Sequence, residues 1–164
     1  LKQSILKMLA RLEPKRIVVV SSAPQIRYPD CYGIDMAKMG DLVAFQAAIA
    51  LLKETHQENI IDDVHERCVA MVDRPMHEQV NVVKDIYRPF TALQISDKIA
   101  ELLTPPELHA EVRIVYQSIE GLHAACPGHT GDWYFTGDYP TPGGNRVVNR
   151  SFLNWRQGKN VRAY

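Results

Sequence analysis

Two serine hydroxyls follow a run of β-branched residues near the start of the chain, in a position where ligand sites are often built. The run Ile17-Val-Val-Val20 has no polar alternation, which is typical of a parallel strand covered on both faces. In open α/β sheets, ligands bind beyond the carboxyl ends of such strands. Ser21 and Ser22 are therefore candidate ligand-binding residues. The alternative is a polar turn in which the hydroxyls bond their own backbone.

The loop after these serines carries four more residues that suit the binding of a charged substrate. Arg27 offers a guanidinium for a pyrophosphate or a nucleotide phosphate, although a lone arginine is more often in a surface ion pair. Tyr28 and Tyr32 would wall the pocket or simply pack beside the neighbouring prolines. Asp35 is the candidate catalytic residue, orienting an amine electrostatically, and it could also cap a following helix.

The elements that would position this loop alternate between helix and strand. Apolar periodicity and capping residues predict a helix over 1–12, a strand over 16–21, helices over 40–55 and 60–71, a third helix from Pro75, a fourth capped by Ser96-Asp97, and a strand over 112–116 that leads into a helix. The prolines and glycines from Cys126 to Asn145 predict turns. The expected fold class is therefore α/β with a helical block between the strands.

Composition limits the class of partner. The chain has 164 residues, of which 46% are hydrophobic, as in one ordinary soluble domain. Its 19 basic and 19 acidic residues cancel, so no overall field favours nucleic acid or an anionic membrane. No apolar run approaches the roughly 20 residues that span a bilayer. Three scattered cysteines favour reduced thiols, and we expect a cytoplasmic protein that binds neither nucleic acid nor membrane.

One acidic and histidine-containing window suggests a metal site or a phosphate loop, and neither interpretation is favoured. The potential metal ligands in this window are His56, Asp62, His65, Glu66 and Cys68. Their spacing matches no closed zinc pattern, and charged residues on an amphipathic helix are usually its solvated side. The pair Asp62-Asp63 is followed by bulky residues where glycine would be needed for close approach to phosphate. We therefore predict no metal ligands in this chain.

Three stretches, in order along the chain, resemble the amidophosphoribosyltransferase family. The first runs from Ser21-Ser22-Ala-Pro through Tyr28-Pro to Tyr32-Gly-Ile-Asp-Met36, the second is Ser118-Ile-Glu-Gly-Leu122, and the third is Phe135-Thr-Gly-Asp-Tyr-Pro-Thr141. Together they bracket most of the chain. The resemblance implies a partial type I phosphoribosyltransferase domain with a Rossmann-like parallel sheet over 1–125, a helical insertion at about 48–93, and a loop-rich tail over 126–164.

The same resemblance implies a reaction, partners and a cofactor. The family makes 5-phosphoribosylamine from glutamine and phosphoribosyl pyrophosphate, using ammonia released from glutamine, and it is inhibited by purine nucleotides. We expect these ligands for the parent protein, together with Mg²⁺ and a homo-oligomeric state. In the family, the phosphate-binding loop, whose carboxylates lie near the Mg²⁺, precedes a helix that begins with Leu-Lys. The first helix predicted here begins with the same pair, Leu1-Lys2. The resemblance therefore implies a carboxyl-terminal portion that does not catalyse alone.

The chain also departs from the family pattern. Some members hold an iron–sulfur cluster, but Gly128, Gly131 and Tyr134 occupy the cysteine-rich positions and Cys31 is offset by one, so no cluster is expected. Ala37-Lys38 replaces a usual Pro-Ser, which alters the expected nucleotide contacts. Two alternatives stay open: a non-catalytic module that senses purine nucleotides, and a protein-interaction module carried by the helical block from 40 to 105.

Overall fold

The chain folds as a small parallel sheet beside a helical core. The computed structural model describes residues 5–33, 36–159 and 161–163. The strands are β1 (Arg16–Ser21) and β2 (Glu111–Tyr116). The helices are α1 (Ile5–Ala10), α2 (Val43–Glu54), α3 (Asn59–Val72), α4 (Ala92–Leu103), α5 (Ile119–Ala125), α6 (Trp133–Thr136) and α7 (Pro142–Arg156). The described residues are therefore mixed α/β.

The two strands are parallel neighbours in one sheet. Their register pairs Ile17 with Val112 and Ser21 with Tyr116. A parallel connection needs a long crossover, and α2, α3 and α4 lie within it. Both predicted strands are confirmed, and β2 begins one residue earlier than the apolar run suggested. Their carboxyl ends lie side by side, and the Gln117 amide donates to the Ser21 carbonyl at 3.1 Å just beyond them.

The helical core is centred on α2, which packs against α4, while α3 packs against α7. Small buried residues on α2, such as Ala44 and Ala48, allow close approach, and the Phe45 ring meets the rings of Phe152 and Trp155 edge-on at centroid distances of 6.1 and 4.8 Å. Much of this core comes from residues 48–93, the predicted insertion. That segment therefore packs as part of the main hydrophobic core.

Two helices predicted within the block are corrected by the structure. The helix predicted from Pro75 is replaced by 3₁₀ turns at Met76–Glu78 and Val82–Ile86, because polar side chains bond the backbone locally. The Asn81 side chain, for example, accepts from the Val83 amide at 3.1 Å. The fourth helix begins at Ala92, ahead of the predicted Ser96-Asp97 cap, because its N-cap Thr91 forms a reciprocal capping box with Gln94.

The predicted loop-rich tail over 126–164 is also wrong in its second half, where α7 is a 15-residue helix. Thr141 caps its first turn by accepting from the Gly144 amide, and Pro142 occupies a position that tolerates proline. Gly144 lies against the Tyr139 ring, where a Cβ would clash. The turn-rich composition therefore marks a helix start, and the buried side chains of Val148 and Phe152 hold the helix in the core.

The first helix covers one face of the sheet. Its Leu6 is fully buried in a small cluster with Ile17, Leu108 and Ala110. The chain leaves α1 through a tightened turn in which the Glu13 amide bonds the Ala10 carbonyl and Glu13 takes a φ of 48°. The predicted start of this helix, at residues 1–4, lies outside the described residues.

Candidate functional site

The three stretches that carry the family resemblance meet at one cavity of about 430 Å³ beyond the carboxyl ends of the strands. The first stretch contributes Pro24 and Arg27, the second contributes Ser118 and Glu120, and the third contributes Phe135. The remaining lining residues are Gln25, Phe90, Ala92, Leu93, Ser96, Ile114, Val115, Tyr116, Gln117 and Ile119. The cavity therefore lies where an α/β sheet usually binds its ligand.

The predicted serines do not line this cavity. The Ser21 hydroxyl donates to the Ala23 carbonyl at 2.9 Å and accepts from the Ala23 amide at 3.3 Å. This local turn uses the hydroxyl as donor and acceptor together, so the backbone alternative raised for this residue describes its geometry. Ser22 is exposed and lies outside the cavity lining.

Arg27 is the predicted binding residue that reaches the cavity. Its Nε and Nη2 atoms both donate to the Gln25 Oε1 atom, at 3.2 and 2.8 Å, and its guanidinium lies 5.4 Å from the centroid of the Tyr87 ring. The side chain is half-buried, and within the described part of the chain it has no carboxylate at ion-pair distance. Arg27 therefore lacks an ion-pair partner among the described residues, and the other charged residue of the cavity lining is Glu120.

A buried amide holds this arginine in place. Gln25 is 4% exposed, and its Nε2 atom donates to the Ala92 carbonyl at 2.7 Å and to the Ser96 hydroxyl at 2.8 Å. Ser96 in turn donates to the Ala92 carbonyl at 3.0 Å. These bonds anchor the loop to the first turns of α4. Neither Gln25 nor Ser96 was predicted from the sequence as part of a site, because nothing local links residues 71 positions apart.

The two predicted tyrosines pack outside the cavity. Tyr28 is buried, its ring meets the Tyr87 ring at 5.3 Å, and burial raises the pKa of its hydroxyl. Gly137 lies so close to the Tyr28 ring that a Cβ there would overlap it, and its φ of 74° also favours glycine. Tyr32 is exposed and meets the Trp133 ring at 5.6 Å. Asp35, the predicted catalytic residue, lies outside the described residues.

Tyr134 joins the loop that carries Arg27 to the third stretch. Its carbonyl accepts from the amides of Arg27 at 2.8 Å and Tyr28 at 3.1 Å, and its hydroxyl donates to the Asp30 carboxylate at 2.8 Å. Asp30 is fully buried and also accepts from the Tyr32 amide at 2.9 Å. The sequence singled out Tyr134 only as a position without a cysteine. Its role as a link between segments depends on contacts about 104 residues apart.

The second stretch closes the cavity from the other strand. Ser118 begins α5 by accepting from the Gly121 amide at 2.9 Å, and Gln117 accepts from the Ser118 amide at 2.9 Å. A Cβ on Gly121 would lie 2.6 Å from the Gln117 side-chain oxygen, so a larger residue there would displace the exposed Gln117 side chain. In the Ser-Ile-Glu-Gly-Leu pattern, the serine has a structural role as the cap of α5.

In the window that contains candidate metal ligands, Cys68 and Asp62 have partners within the helical core or between its helices. Cys68 is buried with its Sγ 3.8 Å from the Asn149 Oδ1 atom, and burial raises the pKa of its thiol to about 12. Asp62 pairs with Arg156 across α3 and α7. Across residues 5–33, 36–159 and 161–163, no group of three or more His, Cys, Asp or Glu residues is placed to hold a metal ion. We therefore assign none of the described residues as a ligand of the Mg²⁺ that is expected for the parent protein.

Comparison of the chain with protein-family models, with curated proteins and with solved structures found no match in any of the three. Within the described ranges, no helix combines the length and the apolar character that crossing a membrane requires. What supports a function is therefore the geometry of the cavity and the order of the three stretches around it.

Proposed function

We propose that this chain is the carboxyl-terminal portion of an amidophosphoribosyltransferase, and that its cavity binds a phosphate-bearing ligand through Arg27. The parent reaction would join ammonia from glutamine to phosphoribosyl pyrophosphate, giving 5-phosphoribosylamine and releasing pyrophosphate. Purine nucleotides would be the inhibitors. Mg²⁺ would neutralise the departing pyrophosphate, held by carboxylates that lie upstream of this chain in the proposed parent.

The observation that carries this proposal is the convergence of the three stretches on one cavity. The first stretch lies about a hundred positions before the other two, and all three line the same cavity. The first two stretches directly follow the paired strands, and the bonds from the Arg27 and Tyr28 amides to the Tyr134 carbonyl bring the third to the same opening. The proposal thus rests on motif order together with placement in space.

The chemistry of the cavity wall also suits this ligand class. Arg27 supplies a half-buried positive charge, and a guanidinium binds a phosphate with two parallel hydrogen bonds. The rings of Phe90 and Phe135 and the side chains of Leu93 and Ile114 form an apolar surface beside it. A sugar or base could pack on that surface while the arginine holds its phosphate.

One feature of the sheet supports a larger parent. Val18, Val20 and Val115 lie on a face of the sheet that nothing covers within the described residues, and each is at least 49% exposed. Parallel sheets in α/β proteins are normally covered on both faces. A phosphoribosyltransferase parent with further elements would cover this face, which also borders the cavity at Val115.

The test is to measure, by isothermal titration calorimetry, the binding of phosphoribosyl pyrophosphate to the 164-residue protein in the presence of Mg²⁺. Arg27→Ala removes the charge that faces the cavity, and we expect affinity to fall by about tenfold or more, since a hydrogen-bonded charge contributes about 1.5–3 kcal/mol. Arg88→Ala is the matched control, because the Arg88 side chain is 82% exposed and lies outside the cavity lining.

Two results would count against the proposal. Absence of binding of both phosphoribosyl pyrophosphate and AMP by the unchanged protein would remove the cavity as a phosphate-binding site in this chain. Equal affinities for the Arg27→Ala and Arg88→Ala proteins would remove Arg27 as the anion-binding group. Binding of AMP without product formation by the intact parent would instead favour the nucleotide-sensing alternative.

A further inference from the structure

Among the described residues, Gln25 is the neutral group that accepts hydrogen bonds from the side chain of the cavity arginine, and its neutrality has a consequence for the ligand. We propose that Gln25 is a specificity-determining residue: it fixes the Arg27 guanidinium without neutralising it, so that the cavity selects an oxyanion. This inference rests on the proposed phosphate site. It adds that the charge which Arg27 presents to the cavity depends on the neutral residue that holds it.

The orientation of the Gln25 amide follows from its partners. The Ala92 carbonyl lies 2.7 Å from one end of the amide, and a carbonyl can only accept a hydrogen bond, so the Nε2 group must face it. The other end, Oε1, then faces Arg27 and accepts both of its bonds. Burial of Gln25 and Ser96 keeps water from competing for these groups.

The arginine retains donors for a ligand after it bonds Gln25. A guanidinium has five N–H donors, and the bonds from Nε and Nη2 to Oε1 use one of its edges. The edge formed by the two terminal nitrogens is left, and it matches the spacing of two oxygens on a phosphate or carboxylate. Tyr87 lies against the guanidinium at 5.4 Å and favours its charged state through the ring face.

A carboxylate at position 25 would neutralise the arginine and change one anchoring bond on α4. Glutamate has nearly the same shape as glutamine and would accept the same two bonds from Arg27 as an ion pair. Its second oxygen would face the Ala92 carbonyl, which can only accept, so that bond would be lost and the Ser96 hydroxyl would have to donate to the carboxylate instead. The positive charge that attracts a ligand phosphate would then be compensated from within the protein. The choice of amide or acid at position 25 therefore decides whether Arg27 is paired within its own loop, while Glu120, the other charged residue of the lining, makes no ion pair with it.

The experiment compares AMP with adenosine as probes, because they differ by the phosphate alone. In the Gln25→Glu protein we expect affinity for AMP to fall about tenfold or more, with affinity for adenosine unchanged within about twofold. Gln25→Met removes the fixing bonds but leaves the charge free, so its loss of AMP affinity should be smaller. Gln46→Glu adds the same charge on an exposed part of α2 outside the cavity and should change neither affinity.

The variants separate the failure of this inference from the failure of the site. If Arg27→Ala weakens AMP binding and Gln25→Glu does not, the site stands and the role of Gln25 is wrong. If neither variant weakens AMP binding, both proposals fall. If Gln25→Glu and Gln25→Met lose AMP and adenosine affinity equally, Gln25 has only a structural role. Unfolding midpoints for each variant show whether its cavity is still folded.

Discussion

The two faces of the small sheet both carry β-branched residues of β1, but their surroundings are opposite. On one face, Ile17 and Ile114 are each 8% exposed and pack beneath helical side chains from α1 and the main core. On the other, Val18 and Val20 are 51% and 73% exposed. The uninterrupted apolar run predicted a strand covered on both faces, and within the described residues that prediction is wrong. The local sequence determines that these residues form a strand, whereas the packing of other elements determines which face of the strand is buried.

The exposed face is also divided along its length. At its amino-terminal end, Glu111 bonds Arg16 across the strands and Arg113 along its own strand, each at 2.6 Å. At its carboxyl-terminal end, beside the cavity, the side chains are valines alone. The charged end of this face is compatible with exposure to solvent. Its apolar end is the part that another element would cover.

The largest difference between the faces should follow from a charge. Ile17→Lys places an ammonium in the covered cluster, and we expect the free energy of unfolding to fall by about 3–5 kcal/mol because the charge has no partner there. Val18→Lys, one residue away on the exposed face, should change it by less than about 0.5 kcal/mol. Urea denaturation measures both. A large loss for Val18→Lys would mean that this face is buried in solution.

A smaller difference in stability between the two faces is expected when a side chain is shortened to alanine. Ile114→Ala removes a buried side chain shared by the core and the cavity wall, so the free energy of unfolding should fall by about 2–4 kcal/mol. Val115→Ala, its neighbour on the exposed face, should cost less than about 0.5 kcal/mol. The measurement is the midpoint of thermal unfolding. Equal losses at the two positions would contradict the described difference between the faces.

The smallest effect concerns the charged end of the exposed face. Hydrogen bonds from Arg16 and Arg113 lower the pKa of Glu111 below its ordinary value of 4.5. Its contribution is therefore present above pH 4.5 and is lost as pH falls through the lowered folded-state value. Glu111→Gln should remove this pH dependence, so that the unchanged and variant proteins converge in acid. A carboxyl resonance of Glu111 that titrates at its ordinary pKa would contradict the bonds.

The candidate site was predicted from the sequence only in part, for a physical reason at each residue. Arg27 and the strand-end position follow from local pattern, and Arg27 does line the cavity. The sequence left two partners open for the Ser21 hydroxyl, a ligand or the backbone of its own turn, and in the structure the hydroxyl bonds the Ala23 carbonyl in that turn. Tyr28 could wall a pocket or pack, and its burial against Tyr87 depended on a segment about 60 positions away. Asp35 stays a prediction.

The same reasoning explains the elements that were missed. Proline and glycine near Pro142 favour turns, but they also suit the first turn of a helix, and only the docking of Val148 and Phe152 in the core distinguishes the two. The 3₁₀ turn after Asn81 has apolar residues at helical spacing. The Asn81 side chain accepts a hydrogen bond from the Val83 amide and so gives the backbone a partner outside an α-helix. Apolar periodicity alone does not predict such a bond.

The sequence by itself determined β1, β2 and the long helices α2 and α3, because periodicity and capping act between residues a few positions apart. It also determined that polar residues follow the strands. Only the tertiary structure decided which sheet face is covered, which stretches share the cavity, and that Gln25 rather than a carboxylate holds Arg27. Those outcomes depend on contacts between distant segments, which form only when the chain is folded.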